Sequence, residues 1–160
     1  MNLDIRVDSI MTRKPVTIGP DATVHDAAVL MRDCDVSSLI VLDEDGILAG
    51  LVSEWDIVKK TTSSLRDPAV VKVFEIMTPN VLTISPESTV EETLRVMGRS
   101  DVHRLPVVKD GRLVGLVTFK DVIKVSPQII DLMKEWHYAF GNKDLDDAEE
   151  RAETQFLNSA

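Results

Sequence analysis

The sequence has little of what secreted and membrane proteins depend on. It contains a single cysteine, Cys34, so no internal disulfide framework can form, which fits a reducing cytoplasm. No apolar run approaches the roughly 20 residues needed to span a bilayer. The first residues lack the apolar stretch of a secretory signal. We therefore expect a cytoplasmic protein without a membrane segment.

Basic residues are also scarce, with 18 Lys and Arg against 27 Asp and Glu and a net charge of −9. Non-specific nucleic-acid binding needs Lys and Arg to displace counterions from phosphate, so we expect no nucleic-acid partner. A small basic pocket for one nucleotide is not excluded. The three histidines are scattered and lack metal-ligand spacing. We expect no metal site, no catalytic residue and no enzymatic activity.

Two long stretches of the sequence occur twice. IMTRKPVTIGPDATV (10–24) returns as IMTPNVLTISPESTV (76–90), 66 residues later. GILAGLVSEWDIVKK (46–60) returns as GRLVGLVTFKDVIKV (111–125), 65 residues later. A unit of about 55 residues buries little surface and is marginal alone. The repetition predicts two related units, packed as a pseudo-two-fold pair with a cleft between them.

Each repeat has the pattern β-α-β-β-α, which predicts an α+β fold. Thr23 and Thr89 are predicted helix N-caps, and Asp26 and Glu92 are their capping-box partners. The second helix is predicted to start at Ser53 in repeat 1 and at Thr118 in repeat 2. The predicted strands are Val16–Ile18, Leu39–Leu42 and Ile47–Val52, then Leu82–Ile84, Leu105–Val108 and Leu113–Val117. The predicted buried helix faces are Val24, Ala27, Ala28 and Met31, then Val90, Leu94 and Met97.

These patterns divide the chain into repeat 1 (7–65), repeat 2 (73–126) and a helical tail (127–160). Thr61–Phe74 joins the repeats, with a break expected at Asp67-Pro68. The tail is predicted to form two helices separated at Gly141-Asn142. It either folds back on its own repeats or contacts another subunit. The abrupt end of the sequence leaves room for a further domain.

The repeated motifs resemble those of CBS domains, regulatory modules named after cystathionine β-synthase. The resemblance rests on Ile-Met-Thr, Thr-Ile-x-Pro, His-Arg-Leu-Pro-Val-Val and Gly-Leu-Val-(Ser/Thr)-x-x-Asp, in order and duplicated over residues 7–125. It implies a disc of two repeats, usually paired with a second disc as a homodimer. It also implies clefts for an adenosine-containing ligand: AMP, ADP, ATP or S-adenosylmethionine. The family usually senses ligands and does not catalyse reactions.

The resemblance further implies two pockets that each mix residues from both repeats. The Thr-Ile segment and the start of the second strand come from one repeat, and the (Ser/Thr)-x-x-Asp quartet comes from the other. One pocket would use Thr83, Ile84, His103 and Arg104 with Ser53 and Asp56. The other would use Thr17, Ile18, Ser37 and Ser38 with Thr118 and Asp121.

Residue type suggests a role for each group. Asp56 and Asp121 suit a ribose diol, because a carboxylate accepts two hydrogen bonds. The apolar walls for a base are assigned to Ile18, Ile84, Val36 and Val102. The unsatisfied N–H groups at Ser53 and Thr118, where strand gives way to helix, favour an anion.

The cations differ between the two predicted pockets. His103 and Arg104 would bind phosphate, Arg104 through its bidentate fork. The pocket with Ser37 and Ser38 lacks this pair, and Lys120 or Lys14 would have to compensate.

Structural roles compete with these assignments. The quartets at Ser53 and Thr118 are also capping boxes, and His103-Arg104 can be a solvated strand entrance. Trp55 follows Ser53 on the same helical turn and could edge a pocket, but it is expected mainly to pack against its neighbours. We predict a cytoplasmic regulatory module that binds AMP, ADP or ATP. The alternatives are a scaffold or dimerisation module with empty pockets, and a sensor of S-adenosylmethionine.

Overall fold

The computed structural model describes residues 4–125. Of these, residues 4–122 form one compact unit and residues 123–125 belong to a second. The predicted tail helices and their break at Gly141-Asn142 lie outside the described residues.

The described chain alternates short strands and helices, and the predicted α+β fold with two repeats is confirmed. A 3-10 turn at Val7–Ser9 comes first, and another at Thr62–Ser64 follows repeat 1. Repeat 1 contains β1 (Thr17–Ile18), α1 (Val24–Cys34), β2 (Ser38–Leu42), β3 (Leu48–Ser53) and α2 (Glu54–Lys60). The chain continues through α3 (Val73–Ile76), β4 (Thr78–Pro79), α4 (Val90–Ser100), β5 (Arg104–Lys109), β6 (Arg112–Thr118) and α5 (Phe119–Val125).

The two long helices begin where the sequence predicts. The Thr23 side chain accepts from the Asp26 N–H at 3.0 Å, and Asp26 accepts from the Thr23 N–H, so the capping box starts α1. Thr89 and Glu92 do the same for α4. Each helix is followed by an aspartate, Asp35 or Asp101, in the left-handed conformation that ends many helices.

The strands form a four-stranded sheet in the order β1-β2-β3-β4 and a separate β5-β6 hairpin. The predicted strand at Leu82–Ile84 is reduced to one parallel bridge between Ile84 and Val107. In repeat 1 the Ile40 N–H donates to the Val16 carbonyl at 3.1 Å. The equivalent residue of repeat 2 is Pro106, which has no N–H to donate. The proline therefore shortens the pairing in repeat 2.

Each Ile-Met-Thr segment pairs with the hairpin of the other repeat. Thr78 of β4 pairs with Leu51 of β3. In the same way, the Thr12 N–H donates to the Leu116 carbonyl at 2.8 Å, and the Leu116 N–H donates back at 2.9 Å. The two repeats are thus joined by a reciprocal exchange of chain segments, which the sequence motifs did not predict.

The same exchange extends into the core. Repeat 1 buries Val71 and Val73 from the connecting segment, and Ile76 just after it, against its own core. The connection between the repeats is therefore partly a core element. Val7 of the N-terminal turn is the repeat counterpart of Val73. Its side chain is fully buried, and its N–H donates to the Ser88 carbonyl.

Two of the predicted helix-face residues are placed differently. Ala28 is exposed, so its assignment to the buried face of α1 is wrong. Leu94 is only half-buried, and Thr93 takes the buried position on α4 instead. Thr93 fits there because its hydroxyl donates to the Thr89 carbonyl at 2.9 Å and leaves its methyl group for packing.

Candidate functional site

The end of β3 and the start of α2 form a polar corner at Ser53 and Asp56. The Ser53 N–H and hydroxyl donate to Asp56 Oδ2 at 2.9 and 2.6 Å, and the Asp56 N–H donates to Ser53 Oγ at 3.2 Å. Thr118 and Asp121 repeat this arrangement where β6 ends and α5 begins, at 3.0, 2.7 and 3.3 Å. The capping role expected for both quartets is therefore present.

The residues before β2 and β5 hold these corners in place. The Glu54 N–H donates to the Ser37 carbonyl at 3.1 Å, and the Phe119 N–H donates to the His103 carbonyl at 2.8 Å. These two backbone contacts are related by the repeat. They hold the start of β2 against α2 in repeat 1, and the start of β5 against α5 in repeat 2.

The first cavity, of about 450 Å³, lies between the Ser53–Asp56 corner of repeat 1 and the start of β5 in repeat 2. Among the predicted site residues it is lined by Ser53, Asp56, Val102, His103 and Arg104. Leu51, Val81 and Leu82 supply its apolar side.

The second cavity, of about 550 Å³, lies between the Thr118–Asp121 corner of repeat 2 and the start of β2 in repeat 1. The predicted residues along it are Lys14, Val36, Ser37, Ser38, Thr118, Lys120 and Asp121. His103 and Arg104 also line it. The two cavities are related by the repeat, since Thr12, Lys14, Pro15 and Val16 correspond to Thr78, Asn80, Val81 and Leu82.

Four predicted site residues line neither cavity. Thr17 and Thr83 are exposed elsewhere. Ile84 is only 8% exposed and bridges to Val107, and Ile18 packs against the core of repeat 1. The segments just before these residues, at Val16 and Leu82, face the cavities instead.

Some lining residues were not assigned from the sequence. Asp35 and Asp101 stand directly before the predicted Val36 and Val102, and each lines one cavity. Their recurrence 66 residues apart, each at the end of a helix, was a usable signal. Trp55 is 67% exposed and lies along the first cavity, so the expectation that it mainly packs is wrong.

The cations are distributed unevenly between the two cavities. Lys14 and Lys120 of the second cavity correspond by repeat position to Asn80 and Trp55 of the first. The first cavity has His103 and Arg104 in the places that Ser37 and Ser38 take in the second. The rings of His103 and Phe119 meet edge to face at 6.4 Å.

Asp56 has a further partner outside its capping box. Lys60 Nζ lies 2.7 Å from Asp56 Oδ1 and donates to the Ile76 carbonyl at 2.6 Å. Burial raises the pKa of Asp56, but the hydrogen bonds from Lys60 and Ser53 outweigh it, and the pKa lies below its usual value. The carboxylate is therefore ionised at neutral pH and can accept hydrogen bonds from a ligand.

Residues 4–125 offer no group of three or more His, Cys, Asp or Glu residues arranged to hold a metal ion. Within the same range, no helix combines the length and apolar character needed to cross a membrane.

Two repeats that share their strands, and that enclose two related cavities, define a tandem α+β module with paired inter-repeat sites. The CBS domain family matches residues 7–62 and 73–128, which together are more than half of the chain. The protein therefore belongs to the CBS-domain family, whose tandem repeats are regulatory modules.

Proteins of other organisms are similar to this chain in sequence and in fold. An uncharacterised protein of Methanocaldococcus jannaschii is 34% identical over 128 residues, covering 79% of this chain and 69% of its relative. The crystal structure of an uncharacterised conserved protein from Pyrococcus horikoshii superposes with a TM-score of 0.73 at 28% identity, covering 79% of this chain and 95% of that one.

Some relatives are enzymes, but this chain matches only part of them. Inosine-5'-monophosphate dehydrogenase of Korarchaeum cryptofilum is 37% identical over 118 residues, covering 73% of this chain but only 23% of that enzyme. The similarity therefore covers less than a quarter of the enzyme and carries no catalytic activity over to this chain.

Proposed function

We propose that this protein is a regulatory module that binds an adenine nucleotide, AMP, ADP or ATP, in the cavities between its two repeats. The observation that carries the proposal is the repeated corner of hydroxyl and carboxylate, which lines each cavity together with cationic side chains. A carboxylate suits a ribose diol and an arginine or lysine suits phosphate. The apolar side of each cavity suits a base.

The proposed mechanism follows from the cavities' construction. Each cavity takes its corner from one repeat and its strand start from the other. A ligand that contacts both repeats binds one of their relative arrangements better and shifts the module towards it. This shift would be passed to a partner or to the tail.

The proposal is tested by isothermal titration calorimetry of the full chain with AMP, ADP, ATP and S-adenosylmethionine. The variants Asp56→Asn and Asp121→Asn each remove one carboxylate charge but keep an oxygen that accepts the capping hydrogen bond. A hydrogen bond to a charged group contributes about 1.5–3 kcal/mol, so each variant should weaken its own cavity at least about tenfold.

Asp26→Asn is the matched control. Asp26 makes the same capping box with Thr23 but lines neither cavity. It should leave ligand affinity unchanged. A loss of affinity in Asp26→Asn as large as in the cavity variants would mean that the caps matter only for folding.

Two results would change the assignment. Binding of S-adenosylmethionine without binding of the nucleotides would keep the adenosine site and remove the phosphate requirement. Silence from all four ligands, in a chain shown to be folded by circular dichroism, would refute ligand sensing and favour the scaffold.

Exposed apolar side chains on α2 support dimerisation as a second role. Trp55 and Val58 stand one helical turn apart and are 67% and 48% exposed. We propose that this face contributes to a homodimer. In sedimentation velocity, Val58→Asp should shift the chain towards the monomer, and Val70→Asp, at a 68% exposed position away from α2, serves as the control. An unchanged sedimentation coefficient for Val58→Asp would contradict this role.

A further inference from the structure

We infer that Arg104 is one phosphate anchor shared by both cavities, so that a phosphate-bearing ligand in one cavity weakens phosphate binding in the other. The inference rests on the proposed function and adds a regulation to it. Its first support is that His103 and Arg104 are the residues that line both cavities. All other lining residues belong to one cavity or the other.

The position of Arg104 in the fold explains how it reaches both sides. It is the first residue of β5, and its backbone pairs with Thr118 in the wall of the second cavity. Its side chain donates to Ser37 Oγ, also in that cavity, at 3.3 Å. The start of β5, including Arg104, also lines the first cavity.

The repeat supplies no second residue of this kind. The counterpart of Arg104 in repeat 1 is Ser38, which is short and 9% exposed. Ser38 pairs with Ser53 as Arg104 pairs with Thr118, but it carries no charge to share. The asymmetry between the two repeats therefore leaves a single arginine at the junction.

The contacts of Arg104 leave its charge available. Within residues 4–125, the hydrogen bond that the structure gives to its guanidinium is the long one to the neutral Ser37 hydroxyl. A phosphate is a much stronger partner for a guanidinium than a neutral hydroxyl. Phosphate in either cavity would therefore displace this contact.

The two cavities depend on Arg104 to different degrees. Among the described residues, the first cavity has no lysine and no other arginine, and it also contains Asp56 and Asp101. The second cavity has Lys14 and Lys120 as well. Loss of Arg104 should thus abolish phosphate preference in the first cavity and only reduce it in the second.

Competition follows from electrostatics and geometry. A bidentate phosphate contact uses one edge of the planar guanidinium and neutralises its charge. A second phosphate would meet a neutralised cation and the charge of the first phosphate nearby. The coupling between the cavities is therefore negative for phosphate-bearing ligands. A ligand without phosphate has no such coupling.

The test compares AMP with adenosine on the full chain. A Trp136→Phe background leaves Trp55 as the sole tryptophan of the chain, so its fluorescence reports on the first cavity. Calorimetry reports on both cavities together. Asp121→Asn weakens the second cavity and Asp56→Asn weakens the first, so AMP can be titrated into one cavity while the other is mostly empty.

AMP fills its tighter cavity first, and the coupling then weakens the cavity that fills second. Weakening the first-filled cavity by mutation should therefore tighten AMP binding in the other about tenfold or more. Because coupling is reciprocal, this holds whichever cavity fills first. Adenosine affinities should not change in this way. In Arg104→Gln, AMP should bind the first cavity no better than adenosine, and the coupling should disappear. Arg112→Gln removes the same charge outside both cavities and should preserve the coupling.

The outcomes separate this inference from the proposed function. If AMP binds both cavities independently, or if adenosine shows the same coupling, the shared anchor is refuted while ligand sensing stands. If the coupling survives in Arg104→Gln, another route carries it and the inference is overturned. If neither probe binds the folded chain, the proposed function fails and the shared anchor fails with it.

Discussion

Replacing Gly50 with alanine tests the close contact between the two repeats. A Cβ atom at this position would lie 2.7 Å from the Thr78 carbonyl oxygen and 2.9 Å from Met77 Sδ. The carbonyl belongs to β4, which is paired to β3 at this point, so relief requires the strand itself to move. Gly50 therefore accommodates the neighbouring repeat's backbone.

The magnitude follows from two opposing effects. Overpacking costs about 1–3 kcal/mol, and a clash with a paired strand belongs at the upper end. Alanine restricts the unfolded chain and returns about 0.4–1 kcal/mol. Gly50→Ala should therefore destabilise the fold by about 2 kcal/mol, which lowers Tm by about 4–8 °C for a chain of this size.

Two other glycines provide the controls. At Gly115 the shortest contact, 2.5 Å, is to Met11 Sδ, which can swing away, although the Thr12 carbonyl oxygen lies at 3.0 Å. Gly115→Ala should cost less than Gly50→Ala. Gly98 lies inside α4 with nothing within 4 Å of its added Cβ, and alanine there should stabilise by about 0.5–1 kcal/mol.

Urea unfolding followed by circular dichroism measures all three free energies of unfolding. The expected order of stability is Gly98→Ala, wild type, Gly115→Ala and Gly50→Ala. In a double-mutant cycle, Met11→Ala should partly rescue Gly115→Ala, whereas Met77→Ala should not rescue Gly50→Ala. A Gly50→Ala variant as stable as wild type would refute the backbone contact.

Three further predictions concern single polar groups. The Thr61 hydroxyl is buried without a hydrogen-bond partner among the described residues, so Thr61→Val should stabilise by about 1 kcal/mol in urea unfolding. Burial raises the pKa of Asp56, and the Lys60 contact helps to hold that pKa low. Lys60→Met should therefore raise the pKa of Asp56, as measured by carboxyl-carbon NMR. An unchanged pKa would contradict the contact. Hydrogen bonds from Lys109 and Ser85 lower the pKa of Glu87 from 4.5 to about 2. Its contribution to stability is complete above pH 4.5 and is lost as pH falls towards 2, so the stability difference between wild type and Glu87→Gln should vanish in that window; a constant difference would count against it.

Local signals in the sequence predicted the fold well. The capping boxes at Thr23 and Thr89 depend on residues three positions apart, so the printed sequence contains all that they need. The buried Thr93 was missed because its hydroxyl is satisfied by the helix backbone and not by a residue that a hydrophobic pattern reveals. The shortened pairing at Ile84 was missed because its cause, Pro106, lies on another strand.

The candidate site was harder to derive in detail. The polar corners were found because strand end and helix start are adjacent in sequence. Val16 and Leu82 line the cavities, whereas the resemblance assigned the residues that directly follow them. Which of these residues lines a cavity depends on which face of a short extended segment turns inward. The sharing of Arg104 depends on the approach of residues 37 and 104, which no local pattern encodes.

The exchange of the Ile-Met-Thr segments between the two repeats has a consequence for a chain cut between residues 61 and 72. Each fragment would lack the strand that completes its sheet, because Thr12 pairs with Leu116 and Thr78 pairs with Leu51. The covalent connection now keeps each donor at a high effective concentration beside its acceptor. Severed halves would have to find each other in solution, so their folding would become bimolecular and their melting temperature would rise with protein concentration. A chain with only one of the two repeats, by the same geometry, would complete its sheet only by exchanging segments with a second copy.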